Sequence, residues 1–466
     1  MSDISMADAA HVYTHTGALI LAAGKGTRMF SDAPKVLQVL LEKPMLAYVY
    51  DALEPVLGKH IWTVVGHHAD MVREAFPEHE ENFVLQEQQL GTGHALQVAW
   101  SALCDSKVEH VLVINGDTPL VQAHTLRLFL RESLEKNADL AFMTLTLPDP
   151  GAFGRVVREK GTVTAVIEAK DYTADVFGAE TGEVNAGIYC MKVSTVSDLL
   201  EKLRSDNKSG EIYITDLIGL AVKQGLNVVG YNGGSDLRLM GINSPIELVR
   251  AEEHLRQEIV ERHLAAGVVI RSQHQVRIGP DVSIGKGADI TGPCEIYGPS
   301  RIDGGVRIAS HCRLDTCEVG TGTFVRSFSH LNNAQVGKSC IVGPYGRLRT
   351  GCVLEDEARI GNFVEMKKTT LGKGAKANHL SYLGDADIGS NTNIGAGTIT
   401  CNLNDRREKH PTKIGKNAFI GSNSCLVAPV EIGDSSLVAA GSVITKDVPE
   451  GHMGLTRAPL RILKRK

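Results

Sequence analysis

Apolar positions follow two different regimes along the chain. In the first half, short apolar runs such as "ALILAA" (18–23), "IWTVV" (61–65), "NFVLQ" (82–86) and "HVLVIN" (110–115) alternate with longer stretches. In the longer stretches, "TLRLFLRESLEKN" (125–137) and "EIYITDLIGLAVKQG" (211–225), apolar residues recur every three or four positions. The short runs predict buried strands and the longer ones helices. Buried strands joined by helical crossovers predict an α/β domain on a mostly parallel sheet. Ligands of such sheets sit beyond the carboxyl ends of the strands. The Gly-rich loop after Ala23 and the "NGD" after Ile114 fall there.

Between 246 and 266 apolar residues at 246, 249, 255, 259, 260 and 264 form one stripe, with charges covering the rest. This pattern predicts a long linker helix. It divides the chain into 1–245, the linker 246–266, and 267–466.

Beyond the linker the period changes to six. Ile278, Ile284, Ile290, Ile296, Ile302, Ile308 and Leu314 form one unbroken series, and Ile414, Ile420, Leu426, Ile432, Val438 and Ile444 form another. Between them the step slips, with Val319, Val336, Leu371, Ile388 and Ile394 often followed by glycine. A six-residue aliphatic period fits neither a helix nor a simple strand. It predicts a hexapeptide-repeat parallel β-helix, with one aliphatic residue per face pointing inward and small residues turning the corners. From Thr400 to Ile414 the step is fourteen rather than six, so eight extra residues in "CNLNDRREKHPTK" must leave the helix as a loop. Loops on rigid scaffolds often carry function.

Composition narrows the function without naming it. A chain of 466 residues calls for two or three domains. Its net charge of −5 lacks the positive excess that would point to nucleic acid. No apolar run reaches the roughly 20 residues of a membrane span. The first fifteen residues have no basic start and no apolar core, so no signal peptide is expected, and residues 1–16 receive no role. Nine cysteines are scattered without a CxxC pair. That predicts reduced thiols in a cytoplasmic protein rather than a zinc knuckle or redox dithiol.

The loop "LILAAGKGTRMFSDAPK" (19–35) is the first candidate for chemistry. A dinucleotide fingerprint would need a third glycine where Met29 stands. A P-loop would need Gly-Lys-Ser/Thr where Gly26-Thr27-Arg28 stands. What remains is pliant backbone at a strand end, with Arg28 and Lys35 available to neutralise phosphate.

Further stretches occur in order: "QEQQLGTGHAL" (86–96), "NGDTPL" (115–120), "FGRVV" (153–157), "VIEAKD" (166–171), "VNAGIY" (184–189), "EIYITDLI" and "GINSP" (241–245). With the opening loop they resemble the sugar-1-phosphate nucleotidyltransferases. With the hexapeptide half behind them, residues 17 to 460 resemble the bifunctional N-acetylglucosamine-1-phosphate uridyltransferase/glucosamine-1-phosphate N-acetyltransferase family. The resemblance implies a Rossmann-like nucleotidyltransferase domain followed by a left-handed parallel β-helix. It implies that N-acetylglucosamine 1-phosphate attacks UTP to give UDP-N-acetylglucosamine and pyrophosphate. Backbone at Leu21, Ala22, Ala23 and Gly24 would grip the nucleotide, with Arg28 and Lys35 on its phosphates. Gln86, Gly91 and Thr92 would read the uracil, and Asn115, Gly116 and Asp117 would border the site. Asp117 and Asn243 would hold Mg²⁺, and Gly154, Glu168 and Asn185 the sugar. Two positions depart from the pattern: Ala186 stands where a threonine is expected, and Asn115 where an aromatic residue can occur.

For the second half, acyl transfer from a thioester to an amine needs a base and an oxyanion donor. The stretch 361–402 resembles the family's acetyltransferase site and makes His379 the base. Arg349, Lys367, Tyr382 and Asn393 would hold the sugar phosphate, and a backbone N–H at Ala396 would meet the oxyanion. Asn402, Leu403, Ser422, Ala440 and Arg457 would line the acetyl-CoA channel, with Leu403 standing where the family has tyrosine. The basic loop Arg406, Arg407, Lys409 and the tail "RILKRK" could meet CoA phosphates. The family further implies a homotrimer with small-molecule substrates. Two other readings compete with this one. A single-activity nucleotidyltransferase with an oligomerising β-helix would have no need of His379 and the inserted loop. A non-enzymatic scaffold would not retain Arg28, Lys35, Asp117, Arg349, Lys367 and His379 together.

Overall fold

A computed structural model describes residues 13–463 and 465. The tail's Lys464 and Lys466 therefore lie outside the described residues, as do residues 1–12 of the segment without a role. The chain divides into two compact units whose boundary in sequence falls between Glu252 and Glu253.

The first unit is built on a nine-stranded sheet. Its main path runs Val228–Asn232, Leu140–Thr146, Glu183–Lys192, His110–Asn115, Thr16–Leu21, Ile61–Val65 and Phe83–Leu85. The strands at 16–21, 61–65, 83–85 and 110–115 pair in parallel. The main path is mostly parallel, as the sequence pattern predicts, and mixed at one strand, Glu183–Lys192, which is antiparallel to both of its neighbours on it. A strand buried on both faces reads the same in either direction, which is why its direction is not legible in the sequence.

Side-chain alternation splits the first unit into two cores. Ala18, Ile20, Leu112 and Ile114 pack on the helices Met45–Leu57 and Ala123–Glu135. Leu19, Val111 and Val113 pack on Thr92–Asp105, Val193–Leu200 and Asp216–Lys223. The last of these helices starts five residues later than the apolar period suggests. Residues 211–215 instead run beside the loop at Gly91, with Ile212 N donating to Leu90 O at 2.7 Å and Gly93 N donating to Ile212 O at 2.8 Å.

A helix runs over Pro245–Ala265, where the sequence pattern predicts one over 246–266. In the second unit Arg256, buried at 4% exposure, donates from this helix to Gln273 O at 2.7 Å and Val276 O at 3.2 Å. It thereby caps the first coil of the C-terminal half.

That coil begins a left-handed β-helix of three sheets, with 11, 10 and 9 strands among the described residues. Every named strand pair in it is parallel, as in Ile290↔Ile308 and Ile296↔Leu314. The six-residue period predicts its interior well: of the two aliphatic series all members are buried except Ile284, which is half-exposed. The nine cysteines are all free thiols, five of them buried in this half. Cys294 and Cys312 face each other on adjacent coils, and burial pushes both thiols up, Cys312 to about 11.

Candidate active sites

The first site lies where strand Thr16–Leu21 ends. Leu21 O accepts from Gly116 N at 2.9 Å and Ala22 N donates to Val64 O at 2.9 Å, so the loop opens from the centre of the sheet. Residues 21–26 line one side of a cleft of about 470 Å³, with Lys35, Gln86, Gly91, Thr92, Asn115 and Asp117 around it. A Cβ on Gly24 would meet nothing within 4 Å, so its backbone faces open space that a ligand can approach. Gln89, Ala95 and Glu211 also line the cleft; they lie inside the quoted stretches but are not singled out by them.

Opposite the loop, Gln86 is almost wholly buried. Its carboxamide nitrogen donates to Gly91 O at 3.2 Å and lies 2.9 Å from His94 Nδ1. Gly91 has φ +113°, and a Cβ there would come within 2.5 Å of Ile212 O. The loop is therefore drawn to a width only glycine permits. Thr92 Oγ1 accepts from Ile214 N at 3.1 Å.

Asp117 and Asn243 are far apart in sequence and meet through Lys35. Lys35 Nζ is ion-paired with Asp117 Oδ2 and donates to Asn243 Oδ1 at 2.7 Å. Arg28 donates to the same Asn243 oxygen at 3.0 Å. Asp117 Oδ1 is buried with no hydrogen-bond partner. Two oxygen ligands, one of them orphaned, fit a hard cation that completes its shell with water and phosphate oxygens. Among the described residues no group of three or more His, Cys, Asp or Glu offers a metal an all-protein cage.

A second group adjoins this one. Asn115 turns its carboxamide onto Gly187. Asn185 Nδ2 donates to Tyr189 Oη at 2.7 Å, and Asn185 N donates to Gly154 O at 2.9 Å. Glu168 accepts from Thr215 Oγ1 at 2.9 Å, and burial raises its carboxyl above the usual carboxylate range. Ala186 is buried at 5% exposure. Tyr189 and Thr215 thus hold Asn185 and Glu168, and both lie inside the stretches quoted from the sequence.

The second site runs along one corner of the β-helix. His379, Ala396, Ser422 and Ala440 each precede a left-handed residue there: Leu380 (φ +47°), Gly397 (+76°), Asn423 (+58°) and Gly441 (+72°). They stack as a column on successive coils. His379 is exposed and pairs in register with Asn362 on the coil before. Asn393 pairs with Lys376 one strand earlier on the same coil face.

On the neighbouring sheet, Arg349 pairs with Glu365 at 2.9 Å, and Lys367 pairs in register with Gly384. A Cβ on Gly384 would lie 2.5 Å from Tyr382 Oη and 2.8 Å from Asn402 Nδ2, so its bare backbone lets both side chains close over it. Asn402 Nδ2 donates to Asp385 Oδ2 at 2.5 Å. The eight-residue insertion predicted between Thr400 and Ile414 folds back on itself, with Leu403 bridged to Lys409 and His410 N donating to Asn402 O at 2.9 Å. This brings Lys409 against Lys367, and the two positive charges, with Arg349, hold the Lys367 ammonium below the ordinary lysine range. Lys409 is thereby grouped with Lys367 and Arg349. Leu403 projects outward, 56% exposed. Thr456 is tied to Val443 N at 2.7 Å, and Arg457 emerges exposed just beyond.

Comparison with known proteins matches residues 18–158 to the MobA-like NTP transferase domain and 411–446 to the hexapeptide repeat of succinyl-transferase. The chain is 58% identical over 451 residues to the bifunctional protein GlmU of Nitratidesulfovibrio vulgaris (Hildenborough), covering 97% of this chain and 98% of that protein. It is 56% identical over 449 residues to GlmU of Oleidesulfovibrio alaskensis, covering 96% and 97%. To GlmU of Lawsonia intracellularis it is 46% identical over 444 residues, covering 95% and 96%.

Proposed function

The chain belongs to the bifunctional GlmU family, and on that premise we propose that it makes UDP-N-acetylglucosamine in two steps run by its two halves. The β-helix half transfers the acetyl group of acetyl-CoA to the amine of glucosamine 1-phosphate, releasing CoA. The first half then joins N-acetylglucosamine 1-phosphate to the UMP moiety of UTP and releases pyrophosphate. The product is a precursor of peptidoglycan and lipopolysaccharide.

The observation that carries the first half's chemistry is the meeting of Lys35, Arg28, Asp117 and Asn243 beside an open glycine backbone. Arg28 and Lys35 neutralise the triphosphate while the backbone at 21–24 fixes its position, so that catalysis is chiefly alignment and charge neutralisation. Gln86 sets the spacing of Gly91 and Thr92 around the uracil, and Glu168 and Asn185 hold the sugar. Asp117 and Asn243 would hold Mg²⁺, which would supply positive charge to offset that of the phosphates.

In the β-helix half His379 takes the proton that the sugar's ammonium must lose before attack. The N–H at Ala396 meets the developing oxyanion. Arg349, Lys367 and Lys409 surround the phosphate. Tyr382 and Asn393 orient the sugar, and the column Ser422, Ala440 with Asn402, Leu403 and Arg457 lies along the CoA chain.

The assembly is read as a homotrimer in which neighbouring copies complete each acetyl-transfer site. Hexapeptide repeats support this, as does an exposed apolar ladder on the corner that carries His379. There His311, Phe328, Tyr345 and Phe363 stack with ring centroids 4.7, 4.9 and 5.1 Å apart. No helix among the described residues is long and apolar enough to cross a membrane, and water-soluble substrates support a cytoplasmic location.

The test is to mix the protein with glucosamine 1-phosphate, acetyl-CoA and Mg²⁺ without UTP and to monitor free thiol. Sugar-dependent thiol release supports the two-step reading. Pyrophosphate formation from UTP and N-acetylglucosamine 1-phosphate, with no thiol release, would reduce the β-helix to a scaffold.

A further inference from the structure

Lys35 sits where a cation between Asp117 and Asn243 would have to sit. Its ammonium contacts Asp117 Oδ2 and Asn243 Oδ1, and Arg28 donates to the same Asn243 oxygen, so both lone pairs of that carbonyl are engaged. Only Asp117 Oδ1 is left, a single buried oxygen without a partner. The Lys35 ammonium and the Arg28 guanidinium thus take the oxygens that a divalent ion between Asp117 and Asn243 would need, and a cation entering beside them meets their charge at close range.

The lysine is built to move from the ammonium end only. The stem of its side chain lies along Gly26: a Cβ there would fall 2.6 Å from Lys35 Cβ and 3.4 Å from both Cγ and Cδ. Beyond Cδ the end that carries the ammonium can turn, and Lys35 also lines the adjoining cleft. A triphosphate in that cleft would offer the ammonium a stronger partner than one shared carboxylate. Once Lys35 turns to it, Asp117 Oδ2 and one lone pair of Asn243 Oδ1 become free together.

We propose that Lys35 is a tethered cation that keeps the divalent-metal position closed until a nucleoside triphosphate draws it away, so that metal and nucleotide bind cooperatively. The inference rests on Asp117 and Asn243 being the metal-holding pair. The coupling is reciprocal: whatever factor the nucleotide adds to metal affinity, the metal adds to nucleotide affinity.

The experiment is Mn²⁺ titration of the full chain without nucleotide, read by electron paramagnetic resonance and calorimetry. It compares the wild type with Lys35→Met, Lys35→Gln, Asp117→Ala and the Lys35→Met/Asp117→Ala double variant. Thermal melts establish which variants fold, and either Lys35 variant alone suffices. The expected result is one Mn²⁺ site at least tenfold tighter in the Lys35 variants than in the wild type, and lost in the double variant. Equal or weaker binding in folded Lys35 variants, with the site still abolished by Asp117→Ala, overturns the tethered-cation role alone. Binding that ignores Asp117→Ala overturns the metal-holding pair itself.

Discussion

Lys409 stands against Lys367, although the first lies on an irregular loop and the second on a regular coil of the β-helix. Two ammonium groups brought together beside Arg349 form a place for an anion. The loop that delivers Lys409 is the eight-residue departure from the hexapeptide period.

This pairing sets a pH dependence. Lys409 and Arg349 lower the pKa of Lys367, so Lys367 loses its proton at a lower pH than an ordinary lysine. A phosphate dianion favours the charged form. Affinity for glucosamine 1-phosphate should therefore be full while Lys367 is protonated and fall as pH rises through that lowered value. Lys409→Met should move the fall to higher pH and, near neutrality, raise KM roughly two- to fivefold, as suits an exposed charge contact. KM measured across the alkaline range, for wild type and variant, checks both shifts. An unchanged alkaline limb would separate Lys409 from the phosphate.

The two chemistries should also be separable. Asp117→Ala removes the carboxylate whose Oδ2 pairs with Lys35 and whose Oδ1 is orphaned, and should cut pyrophosphate release by about a hundredfold or more while thiol release persists. His379→Ala should lower thiol release by about 10²- to 10⁴-fold and spare pyrophosphate release. The two assays run on each folded variant decide it. Loss of both activities in either one would mean that the sites are not independent.

How much of this is legible in the sequence depends on the range of the interaction. The β-helix interior can be read because each coil repeats the same local demand, one aliphatic residue per face, as at Ile296, Ile302 and Ile308. The strands at the nucleotide loop can be read for a similar reason. The start of helix Asp216–Lys223 cannot: Ile212 and Ile214 fit a helical period, but their backbone is taken by Leu90, Gly93 and Thr92. The site residues emerge through their ordered motifs, since nothing local joins Lys35 to Asn243. Where Lys409 lands is hidden too, because it depends on how the inserted loop closes onto Asn402.

Arg256 offers a test of how the β-helix begins. Its guanidinium is buried and serves Gln273 O and Val276 O, with Glu253 on its other side at 2.6 Å. Arg256→Ala would remove the side-chain donor from Val276 O and leave Gln273 O only the N–H of Val276, and should cost about 1–3 kcal/mol. Lys should rescue it poorly, because one ammonium cannot reproduce the forked donor set. Denaturant melts of both variants measure this. An unchanged midpoint for Arg256→Ala would show that the first coil needs no cap from the linker helix.

Gly91 tests the width of the uracil loop. At φ +113° a side chain is strained whatever the space around it, and here a Cβ would also press to 2.5 Å from Ile212 O and 2.9 Å from Ile212 N. Those contacts are backbone and cannot rotate away. Gly91→Ala must therefore shift the loop, at a cost of about 1–3 kcal/mol, and move the carbonyl that Gln86 grips at 3.2 Å. Because Gln86 and Thr92 are fastened to the same turn, the shift reaches both. The expected outcome is a UTP KM raised about tenfold, with thiol release from acetyl-CoA unchanged. A normal UTP KM in a folded variant would mean that the nucleotide does not depend on this turn.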